Sequence, residues 1–172
     1  LLDDYRCINP NAPFNFILMC GRFASYKNLN KLKNIFNITN SDFNITQSYN
    51  ISPGQNVNII LSYKLENYLL ESNWGYTFIN SNNQNKQIVI NSRIETINSK
   101  LLFKDSFLKR KCIIPANGYF EWSQKEGEKK PYLIKLDDGE LIYFAGVWRK
   151  EKYNDDKRRV FCIITKAANS NI

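Results

Sequence analysis

The chain has 172 residues, of which 43% are hydrophobic and 14% aromatic, enough for one domain with a substantial core. Its 24 Lys and Arg residues outnumber 16 Asp and Glu residues, and the resulting charge of +8 favours a polyanionic partner. No apolar run approaches the roughly 20 residues of a membrane span, and the short run Phe14–Leu18 lacks the basic flank of a secretory signal. We therefore expect an intracellular monomer without a membrane partner, in the nucleus of a eukaryote or the cytoplasm of a bacterium.

Cysteine usage argues against a metal centre. The four cysteines, Cys7, Cys20, Cys112 and Cys162, are far apart, and the chain has no histidine. A zinc site would need closely spaced Cys and His pairs. We predict no metal and no cofactor.

The first half of the chain predicts an irregular leader, a helix and a hairpin. Residues 1–18 contain two prolines and no clear period. Ser25 is a candidate N-cap for a helix in which Leu29, Leu32 and Phe36 share one face. The Pro and Gly of Ser52-Pro53-Gly54 predict a turn. The two runs that follow it, Val57–Tyr63 and Tyr68–Glu71, predict the strands of a hairpin.

The second half predicts a helix followed by strands. Glu95–Lys111 has an apolar side that includes Leu101 and Phe107, which favours a helix. Five strand-like runs follow it, and the chain ends seven residues after the last of them, so we expect the domain to be truncated at its C-terminal end. Many short strands with two helices predict an α+β fold with a curved, mostly antiparallel, barrel-like sheet and flanking helices. The five runs are Cys112–Ile114, Tyr119–Ser123, Tyr132–Leu136, Leu141–Trp148 and Val160–Thr165.

Cys20, in Met19-Cys20-Gly21-Arg22-Phe23, carries the most distinctive chemistry. A cysteine at the first position offers an α-amine with a pKa of about 7.7–8.0 beside a thiol with a pKa of about 8.5. The amine attacks an aldehyde to give an imine, and the thiolate then closes a five-membered thiazolidine. Arg22 can favour the thiolate or bind phosphate. A small buried core cysteine is the structural alternative.

A second candidate site is the polar cluster at residues 91–96. In Asn91-Ser92-Arg93-Ile94-Glu95-Thr96, Asn91 can orient an amine or a sugar hydroxyl, and Arg93 can bind phosphate. The alternative is a helix entry, with Asn91 or Ser92 as the cap and Glu95 near the helix N-terminus.

In Gly118-Tyr119-Phe120-Glu121-Trp122, alternation along a strand places Tyr119, Glu121 and Ser123 on one face and Phe120 and Trp122 on the other, so that large aromatic residues flank the carboxyl. If that environment is dry, desolvation raises the pKa of the carboxyl towards that of a general acid. A Glu facing solvent on a half-buried strand is the alternative.

The aromatic segment Trp74-Gly75-Tyr76 is a candidate surface for stacking on unpaired bases. Core packing is the alternative, and we expect it more for Trp148 than for Trp74.

Six motifs in this order resemble those of the SOS-response-associated peptidase family, whose members process abasic sites in single-stranded DNA. The resemblance covers roughly residues 19–172, and its first, fourth and fifth motifs are fairly specific. The motifs are Met-Cys-Gly-Arg-Phe at 19–23, Tyr-Asn-Ile-Ser-Pro-Gly at 49–54, Trp-Gly-Tyr at 74–76, Asn-Ser-Arg-Ile-Glu-Thr at 91–96, Gly-Tyr-Phe-Glu-Trp at 118–122 and Ile-Ile-Thr-Lys-Ala-Ala at 163–168.

The resemblance implies a covalent thiazolidine crosslink between the domain and the ring-opened sugar of an abasic site in single-stranded DNA. It also implies an autoproteolytic cut of the bond before the catalytic cysteine. Catalytic roles are implied for Cys20, Asn91 and Glu121. DNA-binding roles are implied for Arg22, Asn50, Trp74, Arg93 and Thr165.

Two departures from the family pattern affect these expectations. Eighteen residues precede Met19, and while they remain Cys20 has no free amine. The explanations are a misassigned start codon, which we favour, removal by processing, or a propeptide cut by the domain itself. The family's catalytic histidine follows the last motif, and we expect it beyond Ile172. Two other functions stay open: a noncovalent single-stranded nucleic-acid binder, and a thiol autopeptidase acting on its own leader.

Overall fold

A computed structural model describes residues 21–26, 30–40, 47–79, 85–123, 130–136, 139–154 and 156–166. The predicted Ser25 cap is wrong, because Ser25 lies in a strand and the first helix begins at Asn30; Leu29 lies outside the described residues. The strands are β1 (Phe23–Ser25), β2 (Ser48–Ile51), β3 (Asn56–Tyr63), β4 (Glu66–Trp74), β5 (Tyr76–Ile79), β6 (Lys86–Val89), β7 (Asn91–Arg93), β8 (Lys111–Ala116), β9 (Gly118–Ser123), β10 (Lys130–Ile134), β11 (Ile142–Tyr153) and β12 (Asp156–Thr165), and the helices are α1 (Asn30–Phe36) and α2 (Leu101–Lys109).

Five strands close into a barrel within the described part of the chain. Their order is β11–β8–β3–β4–β12, and β12 pairs again with β11. All of these pairs are antiparallel except β4 with β12. The barrel confirms the predicted α+β fold with a curved, mostly antiparallel sheet.

The predicted hairpin is confirmed as β3 and β4, which pair from Asn56↔Asn73 to Tyr63↔Glu66. The predicted turn at Gly54 is present too. Gly54 has a φ of +86°, and its amide donates to the Trp74 carbonyl over 2.8 Å. This bond fixes the turn to the end of β4.

A smaller four-stranded sheet, in the order β10–β9–β1–β2, packs on the barrel core. Phe23 of β1 and Ile51 of β2 share a core cluster with the barrel residues Val57, Trp74 and Phe161. The sheet therefore brings the segment after Cys20 onto the barrel core.

Helix α2 begins six residues later than the predicted start at Glu95. Residues 94–99 form turns, and Lys100 precedes the helix without a side-chain cap. Phe103 is buried in a second core cluster with Tyr76 and Val147, which places the helix against the barrel. Neither helix of the described residues is long and apolar enough to cross a membrane.

Candidate active site

The carboxyl of Glu121 lies in the dry environment predicted for it. Its side chain is 6% exposed, and burial raises its pKa to about 7, while a hydrogen bond from the Trp122 backbone acts in the opposite direction. One carboxyl oxygen is buried and has no hydrogen-bond partner in the described part of the chain. The interpretation of Glu121 as a solvent-facing residue is wrong. A carboxyl with this pKa exchanges a proton readily at neutral pH.

Strand β1 runs directly alongside the strand that carries Glu121. Phe23 pairs with Tyr119, and the Phe120 amide donates to the Arg22 carbonyl over 2.9 Å. At the other end of β1, the Tyr26 amide donates to the side-chain oxygen of Asn117 over 2.7 Å. These contacts fix the backbone of the segment that follows Cys20. Cys20 itself lies outside the described residues.

Arg22 and Asn50, two predicted DNA-binding residues, lie in contact at the surface. The Arg22 guanidinium donates to the Asn50 side-chain oxygen over 3.0 Å, and both residues are exposed. The contact joins β1 to β2.

Asn91 and Arg93 form a short strand, and not the predicted helix entry. Strand β7 pairs in parallel with the end of β12, with Asn91 opposite Ile163 and Arg93 opposite Thr165. This pairing with a distant strand overrides the local capping signals of the segment. It also makes Arg93 and Thr165, both predicted DNA contacts, cross-strand neighbours.

Thr165 is 8% exposed, and its hydroxyl is within 3.5 Å of the Ser92 carbonyl. The Ile94 amide donates to the Thr165 carbonyl over 2.9 Å. These contacts hold the backbone around Arg93 against the end of β12.

The prediction that Trp74 presents its ring to unpaired bases is wrong. Its side chain is fully buried, packs edge-on against Phe23 with ring centroids 5.0 Å apart, and donates from Nε1 to the Ile90 carbonyl over 3.1 Å. Trp148, for which core packing was the stronger expectation, is only partly buried. Through these contacts Trp74 links β1 to the residue before Asn91.

An aromatic pair that includes Tyr49, the residue before Asn50, was missed by the sequence reasoning. Tyr26 and Tyr49 stack with ring centroids 4.4 Å apart, and Tyr49 is 55% exposed. The sequence signal was an aromatic residue directly before Asn50 in the second motif. An exposed ring such as that of Tyr49 suits stacking on bases.

The described residues contain no group of three or more His, Cys, Asp or Glu side chains that could hold a metal ion. Cys112 and Cys162 are both buried in the core. Burial raises the pKa of each thiol well above its ordinary value. Neither is suited to act as a thiolate nucleophile.

Comparisons with known proteins agree with this architecture. The model of the SOS response associated peptidase (SRAP) family matches residues 19–172. The abasic site processing protein YoqW of Bacillus subtilis is 33% identical over 138 residues, which cover 77% of this chain and 61% of the relative. The abasic site processing protein YedK of Escherichia coli is 31% identical over 125 residues, which cover 72% of this chain and 54% of the relative. The chain thus spans about 60% or less of these relatives.

Two solved structures share the fold. A protein of Bacteroides thetaiotaomicron has a TM-score of 0.73 and 24% identity, covering 88% of this chain and 70% of that one. A phage-related protein of Bordetella bronchiseptica has a TM-score of 0.68 and 25% identity, covering 86% and 69%.

Proposed function

The chain belongs to the SOS response associated peptidase family, and from this we propose that it captures abasic sites in single-stranded DNA through a thiazolidine on Cys20. The names of relatives from a bacterium and a vertebrate, YoqW and HMCES of Xenopus tropicalis, both describe abasic site processing. The charge of +8 suits a DNA partner. The observation that carries the proposal is the buried Glu121 carboxyl beside the segment that leads to Cys20.

The proposed reaction needs no external oxidant or reductant. The free amine of Cys20 attacks the ring-opened sugar aldehyde, and loss of one water gives an imine. The sulfur then bonds to the imine carbon, and the nitrogen takes up the proton that the thiol has lost. Both steps require Cys20 to be the first residue, because an amide nitrogen in a peptide bond does not form an imine.

Chain connectivity supports a role of Glu121 in the reaction of Cys20. Strands β1 and β9 are antiparallel, so the chain running back from Phe23 to Arg22 follows β9 from Tyr119 towards Glu121. Two peptide units separate Cys20 from Arg22, so their Cα atoms are at most about 7 Å apart. The Glu121 carboxyl is thus a candidate to protonate the departing water and to accept a proton from the amine.

Asn91 is the second proposed catalytic partner of Cys20, and it follows a residue that packs on the barrel core. Ile90, the residue before it, accepts the Trp74 indole N–H, and both Ile90 and Tyr119 pack on the core cluster that contains Phe23. The Asn91 amide is a candidate to orient the amine or a sugar hydroxyl. On the DNA side, Arg22 and Arg93 are the proposed phosphate ligands.

The test uses single-stranded DNA with one abasic site, followed by a denaturing gel. Protein that begins at Cys20 should give a DNA adduct that survives denaturation, and Cys20→Ala should give none. Protein that retains the residues before Cys20, with its amine blocked, should give no stable adduct either. Salt-sensitive binding that is indifferent to abasic sites and to Cys20 would instead establish a noncovalent binder. Shortening of fresh protein to Cys20 without DNA would establish the autopeptidase reaction.

A further inference from the structure

The barrel has an open end away from the candidate active site. At this end the interior side chains Leu61, Tyr68, Leu70 and Trp148 line a cavity of about 760 Å³. This cavity with its rim is called the barrel mouth. Arg159 at the mouth precedes Thr165 at the candidate site by six residues of β12, which correspond to roughly 20 Å of extended strand.

The rim of the barrel mouth is cationic. It consists of Lys109, Arg110, Lys111, Lys150 and Arg159. Asp105 pairs with Lys109 and Arg110, and Glu66 accepts a hydrogen bond from the Tyr68 hydroxyl, but neither acid lines the cavity. Within the described residues, the other three cations form no ion pair with an acid. An apolar floor with an excess of positive charge at its edge fits a ligand that is both flat and anionic.

Arg159 joins the floor to the rim. Its guanidinium lies 5.5 Å from the Trp148 ring centroid, and its Nη1 donates to the Glu71 carbonyl over 3.1 Å. Its Nε is buried and has no acceptor in the described part of the chain. Indole and guanidinium together form a platform on which a planar ring can stack.

A second cavity shares one lining residue with the barrel mouth. It is lined by Ser48 and Ile51, which flank Asn50 closely in sequence, by Arg158, and by Arg159, which also lines the barrel mouth. Glu71 and Asp156 contribute acidic groups to this second cavity. The Glu71 carboxylate accepts the Asn56 amide over 2.8 Å.

We propose that the barrel mouth is a second nucleic-acid site, which takes an unpaired nucleotide of a strand. Its base packs against Trp148 and Tyr68, and its phosphates lie at Lys111 and Lys150. An acidic peptide fits less well, because all five barrel strands are paired on both sides and offer no edge for strand addition. The inference rests on the proposed function only in assigning DNA as the strand, and it does not depend on Cys20.

The test measures binding of a fluorescent oligothymidylate of about 12 nucleotides, without abasic sites, to the intact protein by anisotropy. The variant Lys111→Glu/Lys150→Glu should bind about tenfold or more weakly at moderate salt. The slope of the logarithm of the binding constant against the logarithm of the salt concentration should become less steep by about 1.4, since each phosphate contact to a single strand contributes about 0.7. The matched control Lys86→Glu/Lys104→Glu changes the net charge equally at exposed lysines outside the mouth. Its affinity for the oligonucleotide should fall by about threefold or less.

A photocrosslink locates the base directly. An oligonucleotide with 5-iodouracil should crosslink to a peptide that contains Trp148 or Tyr68, and an excess of free thymidine monophosphate should compete only weakly. The proposal would be overturned if the two double variants lost oligonucleotide affinity equally. It would also be overturned if the crosslinks were confined to other peptides, or if the mononucleotide competed fully. Adduct formation on saturating abasic DNA should persist in Lys111→Glu/Lys150→Glu. This measurement distinguishes a failure of binding at the barrel mouth from a failure of the Cys20 reaction.

Discussion

At the scale of single residues, the carboxyl of Glu121 combines burial with a pKa near neutrality. The folded protein holds it where one oxygen has no hydrogen-bond partner within the described residues, so ionisation is costly there. Such a group lowers the free energy of unfolding at high pH. Near neutral pH it can both accept and donate a proton. Burial of this kind is typical of general acids.

The pKa of Glu121 predicts a pH-dependent stability. Its folded-state value of about 7 lies above the ordinary value of 4.5, so its favourable contribution is complete at low pH and is lost as the pH rises from about 4.5 through about 7. Glu121→Gln should raise the free energy of unfolding at pH 8 by roughly 1–3 kcal/mol and change it little at pH 4. Urea unfolding at both pH values measures this. Glu66→Gln, at an exposed residue, serves as the control, and an equal effect at both pH values would contradict the assignment.

The two buried thiols predict selective alkylation. Because Cys112 and Cys162 are almost completely buried and their pKa values are raised, iodoacetamide at pH 8 should leave both unmodified in the native protein and modify both in urea. Peptide mass spectrometry identifies the modified residues. Rapid native labelling of either residue would show that the barrel core opens.

Residue chemistry was predictable from sequence where it depended on neighbours in the chain. The large residues that flank Glu121 in β9 predicted a dry environment, and its side chain is buried. Trp74 was misassigned, because its partners Phe23, Phe161 and Ile90 come from three distant segments. Nothing near Trp74 in sequence distinguishes a surface ring from a core ring.

At the scale of elements, hairpins were predictable and parallel pairs were not. The β3–β4 hairpin follows from two apolar runs around a short turn. The pairing of β12 with β4 and β7 joins strands that are about 70 or more residues apart, and it converts Asn91–Arg93 from an apparent helix entry into a strand. The same pairing sets Arg93 beside Thr165.

The turn between β3 and β4 predicts a stabilising substitution. Lys64 and Leu65 both have positive φ, 50° and 67°, which is the arrangement of a type I′ turn, and Leu65 is fully exposed. Leu65→Gly should raise the free energy of unfolding by about 1 kcal/mol, because glycine adopts this backbone conformation without the steric cost.

Thermal or urea unfolding measures the effect of this substitution. Leu101→Gly is the comparison, since Leu101 is also exposed but lies at the start of α2, and it should destabilise the protein. A loss of stability in Leu65→Gly would contradict the assigned turn.

At the scale of the whole molecule, the barrel separates two surfaces. The small sheet carries Arg22, Asn50 and Glu121, and the end of β12 at Thr165 pairs with β7, whereas the cationic barrel mouth includes Arg159 nearer the start of β12. The sequence predicted the basic charge and the order of the motifs. It could not show that Lys111, Lys150 and Arg159 meet around one opening, because closure of the barrel brings their strands together.

The central claim is most directly tested by the intact mass of the adduct between protein beginning at Cys20 and abasic single-stranded DNA, after treatment with an alkylating agent. The account predicts the mass of protein plus DNA less one water, with the Cys20 sulfur unalkylated because it is bonded to the sugar carbon. An adduct in which Cys20 is alkylated, or one that forms equally well with Cys20→Ser, would contradict the thiazolidine.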